Sequence, residues 1–246
     1  MYGLNSVKSC GGSLISPNAV LTAAHCCYKG INVTAYSNLK KGGWTYDQQK
    51  FSSKIIIHPL FRSFAGGILF DVCVILFDEP FEITNTTKVV QLGGSDVFNE
   101  LLTGDKTVYI AGYGRNEYQC NNSERIPHEK WNLQCAETNV VTQSGCYSIL
   151  YQNSAARYFN DELIFCSIPS ESQGIDSKGD SGGPVIYERR VQVGIISWGL
   201  GPCSRNLSVY CRVDANRYFI ERAASSVLMN GKVLNSMIIV LINFLS

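Results

Sequence analysis

Short apolar runs separated by turn residues constrain the fold of this 246-residue chain more than any other feature of its sequence. The runs are rich in Val, Ile and aromatic residues, and Gly, Asn or Pro lies between them: GGSLISPNAVLTAAHC, KIIIHPLF, DVCVILF, KTVYIAGYG, GGPVIY and VQVGIISWG. Such recurring runs predict an antiparallel β-sandwich or barrel. Helical spacing first appears in the run that starts at Asp214, a residue that could cap a helix.

Composition excludes several classes of protein. Hydrophobic residues make up 45% of the chain and charged residues 17%, so the chain can bury a sizeable core and is not disordered. The net charge of +1 gives no electrostatic reason to expect nucleic acid or an anionic surface as a partner.

Cysteines and glycosylation sequons favour secretion. Ten cysteines in a chain of this length indicate an oxidising compartment. Four N-x-S/T sequons point the same way, at Asn32, Asn85, Asn121 and Asn206. The opening residues MYGLNSVKSCGG have neither a basic start nor an apolar stretch, so we expect an export signal upstream of this sequence or a partial chain.

One serine lies in a glycine-rich turn that is typical of a nucleophile. Ser181 occurs in SKGDSGGP, where flanking glycines permit a tight backbone and bare N–H groups. A serine of this kind needs an imidazole and a carboxylate to activate it. His25 follows an apolar run in LTAAHCC, and Asp71 begins the apolar run DVCVILF, where a buried acid requires a partner. His58 and His128 are interpreted as structural residues.

The motifs CGGSLIS…LTAAHC, DVCVILF, GDSGGP and ISWG, in this order, resemble the chymotrypsin/trypsin family of serine endopeptidases. The resemblance extends from about Cys10 to about Arg222. It implies an all-β fold of two packed antiparallel six-stranded Greek-key barrels, with a peptidase domain over residues 1–226. We place the barrels at about 1–103 and 104–213 and a helix at about 214–226, and we expect the first barrel to be incomplete.

The resemblance also implies a role for each residue of the motifs. Ser181 attacks the scissile carbonyl, His25 transfers the proton, and Asp71 stabilises the imidazolium. The backbone N–H groups of Gly179 and Ser181 form the oxyanion hole. The substrate backbone lies along the strand that contains Ser197, Trp198 and Gly199. No metal or other cofactor is implied.

The residues before the nucleophile leave substrate specificity open. The segment reads GIDSKGDSGG and lacks a cysteine of the family pattern. An ungapped alignment places Ile175 at the base of the specificity pocket, whereas one deletion places Asp176 there. Asp176 near the pocket floor would favour Arg or Lys before the cleaved bond, although it could instead lie in a solvated turn. Ser208 replaces a glycine of the pocket wall and would narrow it.

Cysteine pairing is only partly implied. The resemblance implies the disulfides Cys10–Cys26 and Cys146–Cys166. Cys73 is interpreted as a small buried hydrophobic residue, and Cys27 has no assigned partner. Two further pairings are conceivable without being deducible from spacing: Cys203 with Cys211 and Cys120 with Cys135.

The start of the chain raises a second functional hypothesis. Family members are activated when a new apolar N-terminus pairs with the aspartate before the nucleophile, which is Asp180 here. No such terminus precedes Cys10, and we expect Asp180 to turn to solvent, as in a zymogen. The alternative to an active endopeptidase is therefore a catalytically silent module that binds peptides or inhibitors.

The last residues, 227–246, form an apolar extension. Their apolar core from Met237 to Leu245 is too short to span a bilayer, which needs about 20 residues. A weak match to a lipid-anchor signal leaves a membrane tether as a lesser hypothesis than packing on the barrel or an aberrant C-terminus. The expected partners are protein or peptide substrates, protein inhibitors and an activating protease.

Overall fold

The computed structural model describes residues 9–27, 32–40, 45–64, 67–103, 106–114, 133–170, 179–200, 207–226 and 236–241. Of the last range only the backbone is described. Several residues singled out in the sequence lie outside these ranges: Cys120, Asn121, His128, Ile175, Asp176, Cys203 and Asn206.

Six strands form a closed first barrel in the order β1-β15-β3-β4-β7-β2. Their bounds are β1 Ser9–Ser16, β2 Ala19–Thr22, β3 Asn32–Ser37, β4 Gln48–Ile57, β7 Cys73–Phe77 and β15 Ser236–Leu241. Strand β15 comes from the C-terminal extension and runs parallel to both β1 and β3. The expected incompleteness of the first barrel is therefore wrong, because the extension supplies a strand that joins β1 to β3.

A seven-stranded sheet forms the second half, in the order β12-β9-β10-β11-β14-β13-β8. Its strands are β8 Gln91–Leu92, β9 Thr107–Gly112, β10 Gln134–Val140, β11 Ile164–Pro169, β12 Pro184–Tyr187, β13 Val191–Leu200 and β14 Leu207–Arg212. Strand β12 pairs with β13 as well as with β9, which links the ends of the sheet. A separate hairpin consists of β5 Arg62–Phe64 and β6 Gly67–Leu69. These sheets confirm the predicted all-β fold class.

Within the ranges given above, three short helices accompany the sheets: α1 Ser95–Leu101, α2 Gln143–Gln152 and α3 Arg217–Ala224. Helix α3 buries Ile220 and Ala223 in the core of the first barrel. A 3-10 turn, Asp214–Asn216, precedes it. The predicted capping by Asp214 is wrong, because its carboxylate instead pairs with Arg212, with Nη2 2.7 Å from Oδ2.

Three disulfides lie in the described residues. Cys10–Cys26 and Cys146–Cys166 are those that the resemblance implies. The third, Cys27–Cys73, corrects the interpretation of Cys73 as an unpaired hydrophobic residue. It forms because β7 places Cys73 in register with Thr22, at the end of the strand that leads to Cys27.

Two of the described cysteines are free thiols, which excludes the pairings that were conceivable for them. Cys211 on β14 is buried in the core of the first barrel, where the amide of Asn216 donates to its sulfur at 3.5 Å. Burial raises the pKa of its thiol. Cys135 on β10 is exposed.

Candidate active site

His25 lies in a 3-10 turn, Ala24–Cys26, that directly follows the buried strand β2. Ala23 and Ala24 are fully buried, so the turn packs closely on the barrel and leaves the imidazole partly accessible, at 25% exposure. Short alanine side chains permit this close approach. The local sequence AAHCC thus holds an imidazole at the surface of a buried core.

Asp71 is buried, with 1% exposure, and three hydrogen bonds satisfy its carboxylate. The backbone N–H of His25 donates to Oδ1 at 2.8 Å, and Nδ1 of the same residue lies 2.7 Å from Oδ2. The hydroxyl of Ser197 donates to Oδ2 at 2.5 Å. Because a carboxylate only accepts, Nδ1 of His25 carries a proton, and in the neutral imidazole Nε2 then keeps the lone pair. This tautomer is the one that a general base requires.

The residue before Asp71 has an unusual backbone conformation. Phe70 has a φ of 51°, in the left-handed region that bulky residues rarely adopt. Its ring stacks on His58, with centroids 4.8 Å apart, and His58 in turn meets Phe219 of α3 edge-on at 4.6 Å. His58 thus packs between Phe219 and Phe70, the residue that leads into Asp71.

Ser181 lies in a turn that rests on the first barrel. Its carbonyl accepts from the N–H of Gly11 at 2.8 Å. Gly182 has a φ of 83°, and a Cβ there would collide with Thr22 and the carbonyl of Gly11. The glycine that follows the serine is therefore required by both backbone conformation and contact.

His25 and Ser181 both approach Cys26. Nε2 of the imidazole lies 3.8 Å from Cys26 Sγ, and this sulfur lies 3.6 Å from the carbonyl oxygen of Ser181. No hydrogen bond joins His25 to the Ser181 hydroxyl, although the structure describes both residues. Catalytic hydrogen bonds are often long without substrate.

Asp180 does not turn to solvent as expected. Its side chain is buried, and Oδ1 accepts from the backbone N–H of Gly114 at 2.8 Å. A Cβ at Gly114 would overlap this carboxylate. Asp180 stays buried because Gly112 and Gly114 have no side chains, which leaves room for its carboxylate, and because the N–H of Gly114 donates to it.

The proposed oxyanion donors lie next to this carboxylate. Gly179 has a φ of 112°, a conformation that favours glycine. Within the described part of the chain, the N–H groups of Gly179 and Ser181 donate to no acceptor. Both donors are thus available to an external oxyanion.

Ser197 has a role that the sequence did not predict. The register of β13 against β14 shifts between Ile196 and Trp198, and this irregularity directs the Ser197 hydroxyl to Asp71. Gly199 lies opposite Ser208 across the same strand pair, and Ser208 is fully buried. The structure thus brings these predicted residues onto adjacent strands. Asp176 lies outside the described residues.

One group of side chains in the described residues could formally ligate a metal. The ligand atoms of Cys10, His25 and Cys26 lie within 4.8 Å of one another. The two sulfur atoms are joined in a disulfide and are not thiolates, the form that binds metals. We assign no metal to this group.

Comparisons with known proteins add an independent view. The sequence profile of the family described as Trypsin matches residues 1–220. Trypsin alpha of Drosophila erecta is 30% identical over 227 residues, which cover 89% of this chain and 79% of that protein. The Suppressor of tumorigenicity 14 protein homolog of Bos taurus is 30% identical over 229 residues, which cover 86% of this chain. The chain spans only 25% of that bovine relative's length.

A solved structure shows the same fold. Neuropsin, described as a serine protease expressed in the limbic system of mouse brain, superposes with a TM-score of 0.69. It is 24% identical, and the match covers 87% of this chain and 88% of the other. At this identity the likeness concerns the fold alone.

Proposed function

The chain belongs to the trypsin family of serine endopeptidases, and from this premise we propose that it cleaves peptide bonds through an acyl-enzyme on Ser181. In the proposed reaction, Nε2 of His25 removes the proton of the Ser181 hydroxyl as its oxygen bonds to the scissile carbonyl carbon. The imidazolium then donates this proton to the leaving amine, and water repeats the sequence to release the acid. The N–H groups of Gly179 and Ser181 bind the oxyanion of each tetrahedral intermediate.

The observation that carries the proposal is the pair of hydrogen bonds between Asp71 and His25. A carboxylate with 1% exposure lies 2.7 Å from Nδ1, which fixes both the ring and its tautomer. A negative charge at this position stabilises the imidazolium that forms when Ser181 loses its proton. A merely structural histidine does not need a buried anion on one nitrogen and an accessible lone pair on the other.

Active-site labelling tests this proposal. We expect the folded, activated full-length product to react covalently with a fluorophosphonate at Ser181, and Ser181→Ala to abolish the labelling. Ser63→Ala, on the exposed strand β5, is the matched control and should leave the labelling unchanged. Absence of labelling in the folded, activated protein would overturn the enzymatic proposal.

A silent binding module remains the second candidate. It is favoured by one observation, the missing hydrogen bond between His25 and the Ser181 hydroxyl in the described residues. Such a protein would bind a peptide-based inhibitor without reacting with a fluorophosphonate. Calorimetric binding of a reversible inhibitor together with absent labelling would therefore select this candidate.

For specificity we propose cleavage after Arg or Lys. The support is the carboxylate of Asp176 in the segment before the nucleophile, together with Gly199, whose lack of a side chain would leave the entrance of the specificity pocket open. Fluorogenic peptides with Arg or Lys before the cleaved bond should be hydrolysed faster than those with Phe or Ala. A preference for aromatic residues would contradict the role proposed for Asp176.

We also propose that the protein is secreted, with protein or peptide substrates, protein inhibitors and an activating protease as partners. Three disulfides support an oxidising compartment. Asn85 is exposed, as a glycan acceptor must be. Among the described residues, no helix has the length and apolar character needed to cross a bilayer. Treatment with a glycosidase that releases N-glycans should lower the mass of the protein recovered from culture medium.

A further inference from the structure

Two successive disulfide-bonded cysteines follow His25, and they are bonded to the two strands that flank β2. Strand β2 pairs with β1 on one side and with β7 on the other. Cys26 is bonded to Cys10 on β1, and Cys27 is bonded to Cys73 on β7. The turn that holds the imidazole is therefore covalently attached to both neighbours of the strand from which it emerges.

The two attachments serve different members of the proposed triad. Strand β1 contains Gly11, whose N–H binds the carbonyl of Ser181. Strand β7 begins at Cys73, two residues after Asp71. One disulfide thus links His25 to the strand that supports the nucleophile, and the other links it to the segment that contains the carboxylate.

The second attachment acts where strand pairing has ended. The ladder between β2 and β7 stops at the pair Thr22–Cys73, and His25 lies beyond it. Among the described residues, two hydrogen bonds and the disulfide are the polar and covalent links between the His25 turn and the segment 71–73. Both hydrogen bonds come from His25 itself, so a single displacement of the turn would break them together.

We propose that Cys27–Cys73 is a positioning disulfide, which holds the imidazole of His25 against the Asp71 carboxylate. The inference rests on the proposed function, since it assigns the disulfide to the same reaction. Its cystine is buried, with exposures of 4% and 0%, and it never touches substrate. It acts on catalysis through the geometry of two other residues, and a misplacement of about 1 Å in such a group can lower a rate about 100-fold.

Three paired variants separate positioning from general stability. Cys27→Ala/Cys73→Ala removes the bond, and Cys27→Val/Cys73→Ala removes it while refilling buried volume. Cys146→Ala/Cys166→Ala is the matched control, because it opens a buried disulfide in a different hydrophobic cluster of the second half. Circular dichroism and thermal unfolding identify the temperature at which all three variants are folded.

Two measurements then follow at that temperature. The first is the rate at which a fluorophosphonate labels Ser181. We expect it to fall about 10- to 100-fold in both Cys27/Cys73 variants and to stay within twofold of wild type in the control. The second is the proton resonance of His25 Nδ1–H in ¹⁵N-histidine-labelled protein. We expect this resonance to broaden or disappear in the same two variants only.

The outcomes distinguish the two proposals. The positioning role is overturned if wild type is labelled and the Cys27→Val/Cys73→Ala variant shows the same labelling rate and the same Nδ1–H resonance as wild type. An equal loss of rate in the Cys146/Cys166 control would also overturn it, because general destabilisation would then explain the effect. If wild type itself is not labelled, the proposed hydrolysis fails, and the resonance alone decides whether the disulfide holds His25 to Asp71.

Discussion

Removal of the Ser197 hydroxyl tests the electrostatics of the site most directly. Ser197→Ala deletes one of three donors to the Asp71 carboxylate and leaves the two from His25. Ser197 is 5% exposed and Asp71 is 1% exposed, so the carboxylate loses this donor in a buried site. A hydrogen bond to a charged group contributes about 1.5–3 kcal/mol. We therefore expect the free energy of unfolding, measured with urea at neutral pH, to fall by about 2–3 kcal/mol.

The same substitution should slow the reaction of Ser181. A carboxylate with fewer restraints holds His25 less firmly, and a loss of about 1.4 kcal/mol in transition-state stabilisation corresponds to a tenfold lower rate. We expect fluorophosphonate labelling to slow about tenfold under conditions in which the variant is folded. This magnitude is smaller than the effect on stability because the two His25 donors remain.

Ser13→Ala is the matched control for this prediction. The Ser13 hydroxyl is equally buried and donates to the neutral amide oxygen of Gln192 at 2.6 Å, between β1 and β13. Its loss should lower stability by about 1–3 kcal/mol without slowing the labelling. A Ser197→Ala cost below about 0.5 kcal/mol would refute the view that Asp71 is a buried charge dependent on this donor.

Two further predictions concern stability. Burial lowers the pKa of His58, so protons bind the unfolded chain more readily, and stability should fall as the pH drops below about 6.5, the usual pKa of histidine. His58→Phe keeps a ring between Phe70 and Phe219 and should remove this contribution to the pH dependence of stability. Urea titrations at pH 5 and pH 7 measure that dependence, and the same dependence in wild type and variant would contradict the role given to His58. Deletion of residues 227–246 should open the first barrel and lower the midpoint of thermal unfolding in calorimetry by about 5–10 °C, which corresponds to a loss of about 2–3 kcal/mol in the free energy of unfolding. An unchanged midpoint would exclude β15 from the barrel in solution.

The sequence could predict the fold class and the segments of the site because local patterns encode them. Alternating apolar residues specify strands, and the glycines around Ser181 specify a tight turn wherever that turn is placed. Asp71 was expected to need a partner because a charge at the start of an apolar strand is costly to bury. The structure shows the nature of this partner, since both donors of His25 meet the carboxylate.

Features that depend on strand register could not be predicted. The hydroxyl of Ser197 reaches Asp71 because of one irregularity between Ile196 and Trp198, and a shift of one residue would direct it to the other face of the sheet. Pairing of Cys27 with Cys73 spans 46 residues. Spacing alone does not select one pairing among several unassigned cysteines.

The C-terminal extension shows the same limit on a larger scale. An apolar run of this length is equally compatible with a buried strand, a packed helix or an anchor signal. Its place in the barrel depends on two partners far away in sequence, since β15 pairs with β1 and β3. No local pattern contains that information.

The position of Asp180 bears on the choice between an active enzyme and a silent module. The zymogen-like arrangement expected from the sequence has this carboxylate turned to solvent, whereas in the structure it is buried and accepts a hydrogen bond from the N–H of Gly114. The neighbouring N–H groups of Gly179 and Ser181 then remain available in the turn on which the nucleophile lies. Because the proposed oxyanion donors and Asp180 belong to one short segment, a buried Asp180 favours the proposed oxyanion hole. The arrangement around the proposed nucleophile therefore supports the proposed hydrolysis. The reaction further requires Nε2 of His25 to approach the Ser181 hydroxyl.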